Sequence, residues 1–227
     1  MKRYYRIITT IIIATIFVFP ALANKVEQGF RGIGGEFGVV YECAFPNTVE
    51  LDGKVEELAW QYAAWHFVDN KTGTAPAPSE NNASYAFAVV ADDKWLYVAF
   101  KIKDDKIQSG ENVGGDVWQD DSVEVYIDPN YGQTQTYETV DGNWDSQITI
   151  GADNIGGVID KPLLGGGGDG PGTGTKAAVV KVTGGWNVEA AVPLKAQGKW
   201  DIKPKDGMVI GFNTHFNDDD DGGGEGV

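Results

Sequence analysis

Toward its C-terminal end the chain carries the run Asn217-Asp218-Asp219-Asp220-Asp221-Gly222. Asn217, Asp219, Asp221 and Gly222 stand at positions 1, 3, 5 and 6 of an EF-hand-like loop. That spacing lets oxygen ligands wrap one calcium ion while the glycine makes the sharp turn. Position 1 is Asn, the bidentate twelfth position falls past Val227, and no helical pattern flanks the run. Runs of like charge usually face water, so a solvated acidic turn competes with the metal reading. Asn217, Asp219 and Asp221 stand as candidate metal ligands beside that alternative.

Other chemistry is thinly supplied. Cys43 is the only cysteine, so an intramolecular disulfide and a thiolate cluster are excluded. His66 and His215 are the only histidines, which leaves little for a His-based zinc or catalytic site. A heme-binding sandwich would have to draw its axial ligands from His66, His215 and Met208. A glycosidase needs two carboxylates across the scissile bond; acids are plentiful, but their pairing is not a property of sequence. No nucleophile–base motif stands out.

The N-terminus points to export. Lys2, Arg3 and Arg6 precede the nearly apolar stretch Ile7 to Phe19, and Ala21-Leu22-Ala23 supplies a small-x-small cleavage pattern. Residues 1–23 therefore read as a signal peptide. The apolar run is roughly 13 residues, short of the roughly 20 that span a bilayer. A secreted or otherwise extracytoplasmic protein follows, with no membrane attachment after cleavage. The formal charge of −15 becomes more negative when those three basic residues leave. So acidic a chain is repelled by phosphate backbones, which argues against nucleic acid as a partner. The same excess of carboxylates suits calcium, and equally suits simple solubility.

Positioning elements are mostly strands. Residues 24–44 are Gly-rich without a period and read as a linker or arm; residues 45–227 read as one domain. Leu51-Asp52-Gly53 signals a tight turn. It leads into a short helical turn over Val55 to Trp60, expected to pack Leu58 and Trp60. Residues 69–82, with Pro76 and Pro78, read as a loop. Trp95 to Lys103 alternates, with Leu96, Val98, Phe100 and Ile102 on one face and Lys101 and Lys103 on the other. Ser122 to Asp128 puts Val123, Val125 and Ile127 inward and Ser122, Glu124 and Tyr126 outward. Gln147 to Gly151 turns Ile148 and Ile150 inward. Residues 177–183 and 186–193 are joined by a Gly184-Gly185 hairpin signal. Met208 to Asn217 sets Ile210, Phe212 and Phe216 against Asn213 and His215. The segment 164–175, with Gly165 to Gly168 consecutive, is expected to be a flexible excursion. Short alternating runs with Gly, Asp and Pro turns predict an all-β fold, an antiparallel β-sandwich of immunoglobulin-like or jelly-roll type.

In order along the chain stand Leu51-Asp52-Gly53, the turn ending at Trp60, and Trp95-Leu96-Tyr97-Val98-Ala99-Phe100 with Asp104. After them come Trp118-Gln119-Asp120-Asp121-Ser122-Val123-Glu124-Val125-Tyr126-Ile127-Asp128, Gly185-Trp186-Asn187-Val188-Glu189-Ala190-Ala191-Val192-Pro193, Ile210-Gly211-Phe212-Asn213 and Asn217-Asp218-Asp219. The series resembles the family 9 carbohydrate-binding modules. The resemblance implies a non-catalytic sandwich that grips a glucan or xylan chain end, or a small sugar, between two tryptophans. It also implies structural calcium and a linked or downstream catalytic domain.

Carried over residue by residue, Trp118 matches one sandwiching tryptophan, and an indole face suits the apolar C–H face of a pyranose. Glu124 matches a carboxylate that accepts sugar hydroxyls. His215 stands where the family tends to place an amide. Thr149 and Gly151 stand where sugar-binding members carry an arginine and an asparagine. The family's closing segment, with the second tryptophan, finds no counterpart before Val227: either the chain is a fragment or the clamp is incomplete. An extracellular structural or adhesion sandwich that has lost the sugar is the main rival.

Overall fold

The computed structural model describes residues 30–31, 37–38, 43, 48–68, 83–112, 114–132, 134 and 136–220. The signal segment 1–23, most of the arm 24–44, the loop 69–82 and Asp221 lie outside the described residues. The strands are β1 (Phe30–Arg31), β2 (Phe37–Gly38), β3 (Trp65–Val68), β4 (Ala83–Ala91) and β5 (Trp95–Asp104). They continue with β6 (Ser122–Asp128), β7 (Ser146–Gly151), β8 (Leu164–Gly165), β9 (Lys176–Val182) and β10 (Gly185–Pro193). Short β11 (Lys195–Ala196) and β12 (Trp200–Asp201) pair with one another, and β13 (Gly211–Asn217) closes the series. The single α-helix among the described residues, α1, covers Leu58–Tyr62.

Two antiparallel sheets face each other, one ordered β3-β4-β5-β10-β9 and the other β13-β6-β7-β8. The chain passes to the second sheet after β5, returns after β8 and crosses again before β13. Between the sheets, alternate residues interlock: Val98 and Phe100 of β5, Val123 and Val125 of β6, Ile148 and Ile150 of β7, Trp186 and Val188 of β10. All are buried, and each such aliphatic or aromatic side chain contributes about 1.5–3 kcal/mol on leaving water. The indole N–H of Trp186 is satisfied within this core by Asp104, 3.1 Å away.

The five-stranded sheet is covered on its other face too. Val49, Val55 and Trp60 pack on Ala88, Val90, Tyr97, Ala99 and Ala191. Within α1 the expected pair separates: Trp60 is buried, whereas Leu58 is 66% exposed. One turn of helix can aim only one of two side chains two positions apart at the sheet. The anchor is Glu189 of β10, which is fully buried. Its Oε2 accepts the backbone N–H groups of Asp52 (2.9 Å) and Gly53 (2.7 Å). Its Oε1 accepts the Val55 N–H (3.2 Å) and the Trp60 indole N–H (2.8 Å). The Leu51-Asp52-Gly53 turn is thus a backbone nest folded around a carboxylate.

The glycine-rich segment differs from the expected excursion. Its start, β8, pairs with β7 through Thr149↔Gly165 and Ile150↔Leu164. Beyond it the backbone lies flat on β7. A Cβ at Gly166 would stand 2.1 Å from the Gln147 carbonyl oxygen, and one at Gly170 would stand 1.8 Å from the same atom. The glycines serve close backbone approach here, and freedom of the loop is not their purpose.

Candidate functional site

The outer face of the four-stranded sheet carries the site. Register places side chains in three rows across β13, β6 and β7: Asn213–Tyr126–Gln147, His215–Glu124–Thr149, and Asn217–Ser122–Gly151. The period of two that sends Val123 and Val125 into the core sends Glu124 and Tyr126 to this face. A groove of about 530 Å³ runs over it, lined by Trp118, Glu124, Tyr126, Gln147, His215, Asn217 and the Gly166-Gly167 backbone.

Trp118 rises from the 3-10 turn Gly114–Gln119 just before β6 and is 41% exposed. Its neighbour Val117 is buried beside Gly151, where a Cβ would meet Val117 Cγ2 at 2.7 Å. The turn is therefore anchored while the indole stays open to the groove. Glu124 is held from both sides: Tyr126 donates its hydroxyl to Oε2, and the Asn217 amide donates to Oε1 at 3.1 Å and to Ser122 Oγ at 3.1 Å. Burial, with the Glu124 carboxylate beside it, pushes the Tyr126 hydroxyl far above the usual phenol range. It stays a donor at any working pH. Tyr137 donates to Gln147 Oε1 at 2.8 Å and fixes that amide's orientation. The arrangement offers one stacking face, one oriented carboxylate, two amides and an imidazole, a set suited to hydroxyl groups on a flat apolar ring.

Of the residues read from sequence, Trp118, Glu124 and His215 come together in this groove. Thr149 shares the row of Glu124 and His215 but is fully buried, with its Oγ1 unpartnered, and does not line the groove. It sits between Glu124 of β6 and Gly165 of β8. Tyr126 and Gln147 are additional members; their outward register was the signal that could have found them. His66 lies on β3 in the other sheet, stacked at 5.3 Å on Phe87, and Met208 packs on the inter-sheet core. The structure does not gather His66, His215 and Met208 around one centre.

Asn217 turns its amide to Glu124, and Asp219 enters through its backbone, whose N–H donates to Asp121 Oδ1 at 2.7 Å. Asp221 lies outside the described residues. The cluster that forms is Asp104, Asp121 and Asp218, all buried, with one carboxylate oxygen of each within 4.8 Å of the others. Burial pushes the Asp121 carboxyl up to about 8, and the charges of Asp104 and Asp218 add to that against backbone N–H donors from Asp219 and Gln108. Three hard oxygen donors gathered out of water fit a divalent cation such as calcium. A second acidic group, Asp52, Glu57 and Glu189, is of another kind, because each Glu189 oxygen already accepts two of the chain's own donors, whereas each Asp104 and Asp121 oxygen accepts one from the chain's N–H groups.

Fold and face together define a two-sheet antiparallel β-sandwich with an aromatic and carboxylate groove. The family model for the carbohydrate family 9 binding domain-like group matches residues 51–227, and the chain belongs to that family. It is 30% identical over 183 residues to endo-1,4-beta-xylanase A of Thermotoga maritima, covering 80% of this chain and 15% of that protein. It is 28% identical to the exoglucanase XynX of Acetivibrio thermocellus, covering 79% and 14%. The chain thus spans a small part of the length of these relatives. A family 9 module from Caldicellulosiruptor kristjanssonii in complex with cellotriose superposes with a TM-score of 0.60 at 21% identity, over 80% of this chain and 77% of that one. The same module in complex with glucose gives 0.61 at 22% identity, over 80% and 78%. These two share the fold.

Proposed function

We propose that this protein is an exported, non-catalytic module that holds a carbohydrate against the outer face of its four-stranded sheet. Trp118 stacks on the sugar ring, Glu124 accepts hydroxyls, and His215, Gln147 and Asn217 complete the polar contacts. The carrying observation is the oriented Glu124, braced by Tyr126 and Asn217, beside a half-exposed Trp118 in one groove. Membership of the family supports it, as do relatives named as xylanases and neighbours bearing cellotriose and glucose. A ligand of glucan or xylan type and a linked catalytic domain follow by analogy. The cation held by Asp104, Asp121 and Asp218 would be structural calcium. It would tie the end of β5 to the entrance of β6 and the exit of β13.

Titration with a panel of glucose, xylose and their short oligomers, read by tryptophan fluorescence and calorimetry, tests the reading. Binding that Trp118→Ala reduces at least tenfold is expected. Silence across the panel, with no retention on insoluble glucan or xylan, would overturn it. Export is tested by sequencing the N-terminus of protein recovered outside the cytoplasm, with Asn24 expected first. The rival, a surface sandwich that has lost its sugar, draws on the buried Thr149 and the side-chain-free Gly151 at two positions where sugar-binding members carry polar groups. It anticipates that same silence.

A further inference from the structure

Beside the groove lies a second cavity of about 620 Å³, whose lining includes Tyr126, Asp128, Thr134, Tyr137, Asp145 and Asn213. The two are adjacent: Tyr126 lines both. Tyr137 stands on their boundary. It lines the second cavity, donates to Gln147 of the first, and packs its ring over Gly167, where a Cβ would meet Tyr137 Cε2 at 3.1 Å. The ring is 45% exposed. Trp118 enters the face at the Ser122↔Gly151 end of the sheet, whereas Tyr137 covers the Tyr126↔Gln147 end. Four residues of β6 separate those ends, about 13 Å at roughly 3.3 Å per residue, which is longer than one pyranose ring. No Lys or Arg lines either cavity among the described residues, while Glu124, Asp128 and Asp145 do. Burial, with the charges of Glu124 and Asp145, holds the Tyr137 hydroxyl above the usual phenol range, so it too remains a donor.

The geometry points to Tyr137 as a second stacking platform and to the cavity behind it as a second sugar subsite, so that the ligand is a neutral oligosaccharide of at least two units lying along β6. The inference rests on the sugar-binding reading above and extends it. An acceptor-rich wall welcomes hydroxyl donors and repels carboxylated sugars. A second aromatic face within the described chain also relieves the cost of leaving one side of the ligand in water.

Calorimetry on the whole protein with glucose, cellotriose, xylotriose and tri-galacturonate tests this, with Tyr137→Ala, Tyr137→Phe and Trp118→Ala beside the wild type. At least one neutral trisaccharide should bind tenfold or more tighter than glucose. Tyr137→Ala should weaken the trisaccharide at least tenfold and glucose less than threefold. Tyr137→Phe, which keeps the ring, should retain most of the gain, and Trp118→Ala should weaken both ligands. Equal wild-type affinity for glucose and both trisaccharides, or an equal loss for both in Tyr137→Ala, would overturn the second subsite while leaving the sugar-binding reading intact. Tri-galacturonate binding as tightly as the neutral sugars would overturn the assignment to neutral ligands. Absence of all sugar binding would overturn both readings.

Discussion

Asn217 donates its amide to Glu124 at 3.1 Å, on a diagonal of the β13–β6 pair, since the residue directly opposite Glu124 is His215. A residue whose sequence setting suggested a metal ligand is therefore a brace for the groove's central carboxylate. With Tyr126 on the other oxygen, Glu124 enters binding already oriented. Such preorganisation removes part of the ordering cost from the binding event.

Removing either brace should weaken sugar binding without dismantling the sheet. Tyr126→Phe keeps the ring and deletes one hydrogen bond to a carboxylate, worth about 1.5–3 kcal/mol at most. A five- to tenfold loss in affinity by calorimetry is expected. Glu124→Gln should cost more, because the acceptor itself changes. Unchanged affinity in both variants would mean that Glu124 does not touch the ligand.

Glu189 is expected to dominate stability and not binding. Glu189→Ala strands three backbone N–H groups and the Trp60 indole N–H around a cavity. Each buried donor left unpaired costs about 1–3 kcal/mol. Urea unfolding should show a loss of about 3–5 kcal/mol, with sugar affinity of the remaining folded protein within twofold, because the site lies on the other sheet. A midpoint within experimental error of the wild type would refute the anchoring role.

Calcium should raise the thermal midpoint, and chelation should lower it. At a calcium concentration about 100 times its dissociation constant the gain is about 2.7 kcal/mol, or about 5–10 °C for a domain of this size. Asp121→Asn relieves repulsion among Asp104, Asp121 and Asp218. It should abolish the calcium response; in the chelated protein the relieved repulsion opposes the loss of one acceptor for the Gln108 and Asp219 N–H groups, so stability should stay within about 1 kcal/mol of the wild type. A response that survives Asp121→Asn would place the cation elsewhere.

Gly166→Ala and Gly170→Ala test whether the glycine-rich segment is part of the sheet. A methyl group at either position collides with the Gln147 carbonyl, and Gly166 also holds φ +112. Losses of about 2–3 kcal/mol are expected from overpacking and backbone strain, along with weaker sugar binding as the groove's edge lifts. Neutral behaviour in both would restore the picture of a free excursion.

Much of this molecule was already determined by the order of its residues. Period-two alternation in Trp95–Lys103 and Ser122–Asp128 dictates strands, and it assigns Phe100 and Val125 to the core and Glu124 to the other face, because side chains must alternate across a strand. The family resemblance pointed to Trp118, Glu124 and His215, and the structure places these three in one groove. Tertiary structure decided what alternation cannot express. Thr149 has the outward parity of a binding residue, yet between Glu124 of β6 and Gly165 of β8 it is fully buried. Glu189 has the parity of a solvated residue, yet a turn more than a hundred residues earlier folds over it. Asp104, Asp121 and Asp218 meet only because β5, the entrance of β6 and the exit of β13 end at one place. Parity is a local property of one strand, whereas burial and clustering depend on which distant segment arrives to cover it, and only the closed sandwich supplies that neighbour.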